Sequence, residues 1–138
     1  MLIVCIDANV YTSAFAFGGK PQQIVKLALE QKFHLVTSDA ILNEVKHNLT
    51  TKLSATSHNV DDFLNALTNI TSVYKPTGTL TLINHTTDNL VLETALLGNA
   101  NILVTGDKKD LLPLKMIHNM IIEPPSAFLD HLKNLVII

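Results

Sequence analysis

The sequence predicts an α/β fold, a three-layer sandwich in which a mainly parallel, Rossmann-like central sheet of about five strands is flanked by helices. Two observations predict it. Short apolar runs rich in β-branched residues alternate along the chain with segments whose apolar residues recur at helical spacing, the order of a right-handed, mainly parallel sheet. The 138 residues also carry no internal repeat, low-complexity tract or linker, so a single domain spanning 1–138 is expected. With 47% hydrophobic residues it can bury an ordinary core without staples.

The first strand is "LIVCI", a continuous apolar run that reads as buried on both faces and ends at Asp7. "PQQIVKLALEQK" follows as a helix, with Pro21 in its first turn and Ile24, Leu27 and Ala28 on one face. "FHLVT" is the second strand. Ser38 is suited to cap a helix whose inner stripe is Ile41, Leu42, Val45 and Leu49. The polar segment 50–59 reads as a loop or frayed helix end. Val60, Phe63, Leu64, Leu67 and Ile70 mark the next helix. "KPTG" is a turn signal, and the alternating "TLTLI" predicts the third strand. From Asp88 a helix carries Val91, Leu92, Ala95 and Leu96 and ends with Gly98 in the position after its last turn. "NILVTG" and "MIIE" complete the strands, "PPSAFLDHL" opens a last helix, and the apolar tail "NLVII" reads as an edge strand or as packing on the core or a partner.

Composition excludes several classes. Cys5 is the only cysteine, so neither an intrachain disulfide nor a cysteine-based zinc site is available. Its neighbours Ile3, Val4 and Ile6 make it a buried packing residue. The first residues lack the basic and apolar regions of a secretory signal, and no apolar run approaches the roughly 18 residues that span a bilayer. A cytoplasmic protein with no membrane association is expected. The net charge of −2 gives no general basic footprint for nucleic acid. All ten cationic residues are lysines, so bidentate guanidinium recognition of phosphate is excluded. An enzyme that meets phosphate through a metal ion remains open.

The acids point to such a site. Open α/β sheets bind ligands beyond the carboxyl ends of their strands. Asp7 ends the first strand, Asp88 follows the third, Asp107 ends the fourth, and Glu44 borders the apolar stripe of its helix. Singly, each has a plain explanation: turn residues for Asp7 and Asp107, a solvated helix face for Glu44, a helix N-cap for Asp88. Jointly, three of only 12 acids fall where one cleft would lie. Carboxylates converging there raise each other's pKa unless a cation intervenes. Oxygen ligands without cysteine or paired histidine favour Mg²⁺ or Mn²⁺ over zinc. Such a centre suits phosphodiester hydrolysis, with the ion polarising a phosphoryl oxygen and acidifying a bound water.

Taken with their order, four stretches resemble the PIN-domain ribonucleases, in particular the compact branch that includes the toxin components of toxin–antitoxin pairs. They are "IDANVYTSAF", "LVTSDAILNEV", "TDNLVLETALLGNANILVTGDKKDLL" and "IIEPPSAFL". The resemblance implies a metal-dependent endoribonuclease with Asp7, Glu44, Asp88 and Asp107 as its catalytic and metal-binding acids and Asp110 as an accessory acid. It implies supporting roles for Asn9, Ser13 and Thr105 in holding the acids or a metal-bound water. It also implies an RNA substrate, an antitoxin protein that blocks the cleft, and a homodimer. Lys20, Lys108 and Lys109 are the candidates for touching the RNA backbone, the pair beside Asp107 foremost; a solvated surface is the plain alternative for each. The chain departs from that branch just before Asp88, where His85 and Thr87 stand in place of extra acids and lower the local negative charge.

Two other functions compete. A haloacid dehalogenase-type phosphatase also places an aspartate after its first strand, but needs a second two residues on, where this chain has Asn9. A non-catalytic PIN-like scaffold binding RNA or protein would be expected to lose some of the four principal acids, all of which are present. Histidines 34, 47, 58, 118 and 131 show no metal-ligand pairing, and "FGGK" lacks the strand-to-helix frame of a phosphate loop.

Overall fold

The computed structural model describes residues 1–53 and 57–138, the side chain of Ser57 excepted. In chain order the elements are β1 (Ile3–Ile6), α1 (Ala8–Phe17), α2 (Gly19–Leu29), β2 (His34–Ser38), α3 (Asp39–His47), α4 (Ser57–Thr68), β3 (Thr71–Tyr74), α5 (Thr86–Leu97), β4 (Ile102–Val104), β5 (Met116–Ile117), β6 (Met120–Glu123) and α6 (Pro125–Asn134). A π-helical turn at Asn48–Lys52 extends α3, and a 3₁₀ turn at Leu112–Leu114 precedes β5.

The six strands form one sheet in the order β3-β2-β1-β4-β6-β5. Every pairing is parallel except that of the short edge strand β5 with β6. Successive strand residues point to opposite faces. Val4, Cys5 and Ile6 in β1 and Ile102, Leu103 and Val104 in β4 are all buried, so helices cover both faces and three layers result. The chain runs outward from β1 through β2 to β3 and then returns to lay β4 on the other side of β1. Strand order therefore reverses between β1 and β4, and the crevice beyond their carboxyl ends is where this architecture admits a ligand.

Most of the expected elements form. Ser38 caps α3 as the sequence indicates, its hydroxyl accepting the Ile41 N–H at 3.3 Å. Two expectations need correction, one unassigned stretch proves helical, and one reading of the tail is removed. The third strand is Thr71–Tyr74; "TLTLI", residues 79–83, is an irregular segment. α5 side chains hold it and the turn before it: Asn89 pairs with both backbone groups of Ile83 (3.1 and 2.7 Å), and Glu93 accepts the N–H groups of Thr77 and Gly78. The stretch 8–17, to which periodicity assigns nothing, is α1, set off from α2 by consecutive left-handed glycines, Gly18 (φ 74°) and Gly19 (φ 68°). At the end of α5 the left-handed residue is Asn99 (φ 54°), not Gly98. Gly98 is required by packing, since a Cβ there would lie 2.9 Å from the Val36 side chain. The tail forms no strand: Ile137 packs on the core while Leu135 and Val136 are exposed.

Of the segment 50–59, the π-helical turn and the start of α4 are ordered elements, and residues 54–56 lie outside the described residues. The sheet also gains β5, joined to β6 through His118 (φ 48°) and Asn119 (φ 69°), a two-residue hairpin link with both residues left-handed.

Candidate metal centre

Asp7 sits between β1 and α1, at the N-cap of α1, with only 3% of its surface exposed. Its backbone N–H donates to the Val104 carbonyl at 2.9 Å, which locks it against β4. The fully buried Thr105 hydroxyl donates to Asp7 Oδ2 at 2.7 Å. Burial pushes the Asp7 carboxyl above its usual range and Asp107 adds repulsion, while Thr105 and the Ala8 amide oppose the shift.

Thr105 also fixes the second acid, accepting the Asp107 N–H at 3.1 Å. Asp107 Oδ1 in turn accepts the N–H groups of Lys109 (3.0 Å) and Asp110 (3.2 Å), an Asx turn in which Oδ2 takes no part. That turn brings Asp110 back toward Asp107. Asp88 approaches from α5, and one carboxylate oxygen from each of Asp88, Asp107 and Asp110 lies within 4.8 Å of the others.

Asp88 is not the cap of α5. His85 holds that position without a side-chain cap bond, and Asp88 is in the first turn, where the helix dipole favours its charge. Its pKa is nevertheless pushed up to about 6, first by burial and then by repulsion from Asp107. His85 works the other way, with Nδ1 3.5 Å from Asp88 Oδ2. Glu44, half-buried on α3, borders a small crevice with Thr87 of α5 and stands outside the three-acid cluster. Its pKa is raised by burial and by Asp7, and eased by Lys52, His85 and His47.

The remaining sequence candidates divide. Thr105 is the hinge of the acid network. Asn9 and Ser13 make no hydrogen bond to any acid among the described residues; they line a cavity of 220 Å³ with Val10, Pro21, Gly106 and Pro125. Lys20, Lys108 and Lys109 are exposed, and none pairs with an acid of the site. Sequence reasoning passed over Asn89 and Glu93, which tether the segment leading into Asp88. Their signal is two polar residues one helical turn apart inside an otherwise apolar run.

The residues fit a hard divalent cation. Three carboxylates converge with no lysine between them, the donors are all oxygen, and burial and then repulsion from Asp107 raise the Asp88 pKa, a shift that a bound cation would offset. Cys5 is buried and takes no part.

A family model described as PIN domain matches residues 3–109, a span that contains Asp7, Glu44, Asp88 and Asp107. No curated protein matches the chain. Among solved structures, one from the crystal structure of VapBC2 from Rickettsia felis, bound to a DNA fragment from their promoter, aligns with a TM-score of 0.63. The alignment covers 89% of this chain and 98% of that one at 19% identity, a likeness of fold.

Proposed function

The chain belongs to the PIN domain family, and from that membership and its converging acids we propose that it is a metal-dependent endoribonuclease using Mg²⁺ or Mn²⁺. The observation that carries this is the approach of Asp88, Asp107 and Asp110 to within 4.8 Å of one another beside buried Asp7. Asp7, Asp88, Asp107 and Asp110 would hold the ion. When bound, it supplies Lewis acidity at a phosphoryl oxygen and charge to offset the pentacoordinate transition state.

The protein's own groups set the rest. Thr105 holds Asp7 Oδ2 and the Asp107 backbone at fixed separation, so two acids need no reorganisation on binding. The Asx turn fixes Asp107 through Oδ1 and keeps one of its oxygens near those of Asp88 and Asp110. Glu44, its pKa raised by burial and by Asp7, suits a proton acceptor at its carboxylate for the attacking water. Exposed Lys108 and Lys109 flank the cleft as contacts for the RNA backbone.

The likeness to VapBC2, together with the resemblance to the compact toxin branch, supports a toxin role with an antitoxin partner; a homodimer rests on that resemblance alone. A mainly apolar groove of 380 Å³ between α1, α2 and α4, lined by Phe15, Leu29 and Phe63, offers partner surface. A solution mass showing only monomer, alone and after co-expression with its neighbour-encoded product, refutes both partner claims. No helix among the described residues is long and apolar enough to cross a membrane.

The function is tested by RNA and DNA cleavage with Mg²⁺, Mn²⁺ or EDTA, beside Asp7→Asn and Asp88→Asn proteins. Metal-dependent RNA cleavage lost in both variants is expected. Cleavage that survives EDTA or either substitution overturns the mechanism.

A further inference from the structure

We propose that the cavity beside the acids is a subsite for the ribose and base of one nucleotide flanking the cleaved bond. This rests on the nuclease reading and names how that site would hold its substrate. Four separate segments meet at the cavity, and two of them carry the acids: Asn9 follows Asp7 by two residues on α1, and Gly106 directly precedes Asp107. Two walls of the cavity are thus continuous in the chain with Asp7 and Asp107.

The walls are rigid. Pro21 lies in the first turn of α2, Pro125 opens α6, and Val10 is buried. Gly106 is the open side. It has no left-handed φ, and a Cβ added there would meet nothing within 4 Å. Neither backbone conformation nor internal packing requires glycine at this point, and its missing side chain keeps the cavity clear.

The two polar groups in the lining are spare. Asn9 and Ser13 stand one helical turn apart on the same face of α1, and neither side chain has a hydrogen-bond partner among the described residues. Their neighbour Thr12 behaves differently, donating to the Ala8 carbonyl at 2.9 Å. A carboxamide and a hydroxyl together offer donors and acceptors, the equipment for a 2′-hydroxyl or a base edge.

Charge assigns the occupant. None of the six lining residues is ionisable, whereas the adjoining acids would hold a cation. The phosphate thus belongs with the ion, and the neutral sugar and base with the cavity. At 220 Å³ the space is smaller than the roughly 300–1,000 Å³ of drug-sized pockets, so it admits one nucleoside unit rather than a stacked run.

The test titrates ¹⁵N-labelled protein with adenosine 5′-monophosphate and its 2′-deoxy counterpart in Mg²⁺, using wild type, Gly106→Val and Ser13→Ala. Cleavage of a short RNA is followed in parallel. Shifts centred on the amides of Val10, Ser13 and Gly106 are expected, with tighter binding of the ribonucleotide that is lost in Ser13→Ala. Gly106→Val should raise the nucleotide Kd and the RNA KM about tenfold while kcat stays within about threefold. Unchanged Mn²⁺ affinity in Gly106→Val shows that the acids remain in place. Shifts absent from those three amides, or wild-type Kd and KM in Gly106→Val, overturn the subsite. If the nucleotide binds there but no metal condition cleaves RNA, the nuclease reading fails, and with it the placement beside a cleaved bond, while nucleoside binding in the cavity stands.

Discussion

The Thr105 hydroxyl donates to Asp7 Oδ2 at 2.7 Å across the crevice between β1 and β4, although 98 residues separate the two in the chain. The same oxygen accepts the Asp107 N–H, so one buried hydroxyl sets the spacing of two acids. Thr105→Val should therefore act on both stability and activity. It leaves a buried carboxylate oxygen unsatisfied, at a cost of about 1–3 kcal/mol. Thr105→Ser keeps the hydroxyl and should recover most of both. Urea unfolding and RNA cleavage of the two variants check this; equal behaviour of Val and Ser removes the hydroxyl from the site's architecture.

The acid cluster makes the metal-free protein pH-sensitive. Asp88 has its pKa raised from 3.8 to about 6 in the folded state, so the fold binds more protons than the unfolded chain over that interval. For an acid shifted upward, stability falls as pH rises through the interval and stays lower above it. Metal-free Tm should drop between about pH 4 and pH 6, and Mn²⁺ should restore it at neutral pH. Asp88→Asn should raise the metal-free Tm at pH 7.5 by about 3–5 °C, equivalent to about 1 kcal/mol once solvent screening is allowed for. A lower Tm in that variant contradicts burial and repulsion of the Asp88 charge as a net cost to the fold.

Packing dictates Gly98. A Cβ would sit 2.9 Å from Val36 Cβ and Cγ2, both in the core, and neither can swing away. Gly98→Ala should cost about 1–3 kcal/mol. Adding Val36→Ala vacates the contact, so the double variant should be less destabilised than the sum of the singles by about 1 kcal/mol. Strict additivity in denaturant unfolding would show that the glycine serves something else.

These particulars explain what was legible in the sequence. β1, β2 and β4 were readable because strands buried on both faces are continuously apolar, as Val4–Cys5–Ile6 and Ile102–Leu103–Val104 are. β3 was not, because it is an edge strand with Ser72 half-buried and Val73 exposed, a pattern that marks no face. "TLTLI" alternates like a strand, but Asn89 takes both backbone groups of Ile83 that a neighbouring strand would otherwise satisfy, and Glu93 holds Gly78 just before it. Tertiary side chains overrode local propensity. Asp7, Asp88 and Asp107 were legible through their places at strand ends and helix start. The nearness of Asp110 depends on an Asx turn, and the cavity on four distant segments, neither of which spacing alone encodes.

Asp107 carries two duties on separate oxygens, and substitution can divide them. Oδ1 accepts the N–H groups of Lys109 and Asp110 and so shapes the loop that returns Asp110 to the cluster. Oδ2 takes no part in that turn, so a cation can share it without opening the loop. An asparagine keeps an acceptor oxygen for the loop and replaces Oδ2 with an amide that repels a cation. Asp107→Asn should then preserve unfolding free energy to within about 0.5 kcal/mol while losing Mn²⁺ binding by at least about tenfold. Asp107→Ala removes both oxygens, so it should lose about 1–2 kcal/mol of stability as well as the metal. Calorimetric Mn²⁺ titration beside denaturant unfolding separates the two. If Asp107→Asn binds Mn²⁺ like wild type, Oδ2 faces no cation. If it unfolds as readily as Asp107→Ala, the carboxylate charge, and not the acceptor geometry, holds the loop.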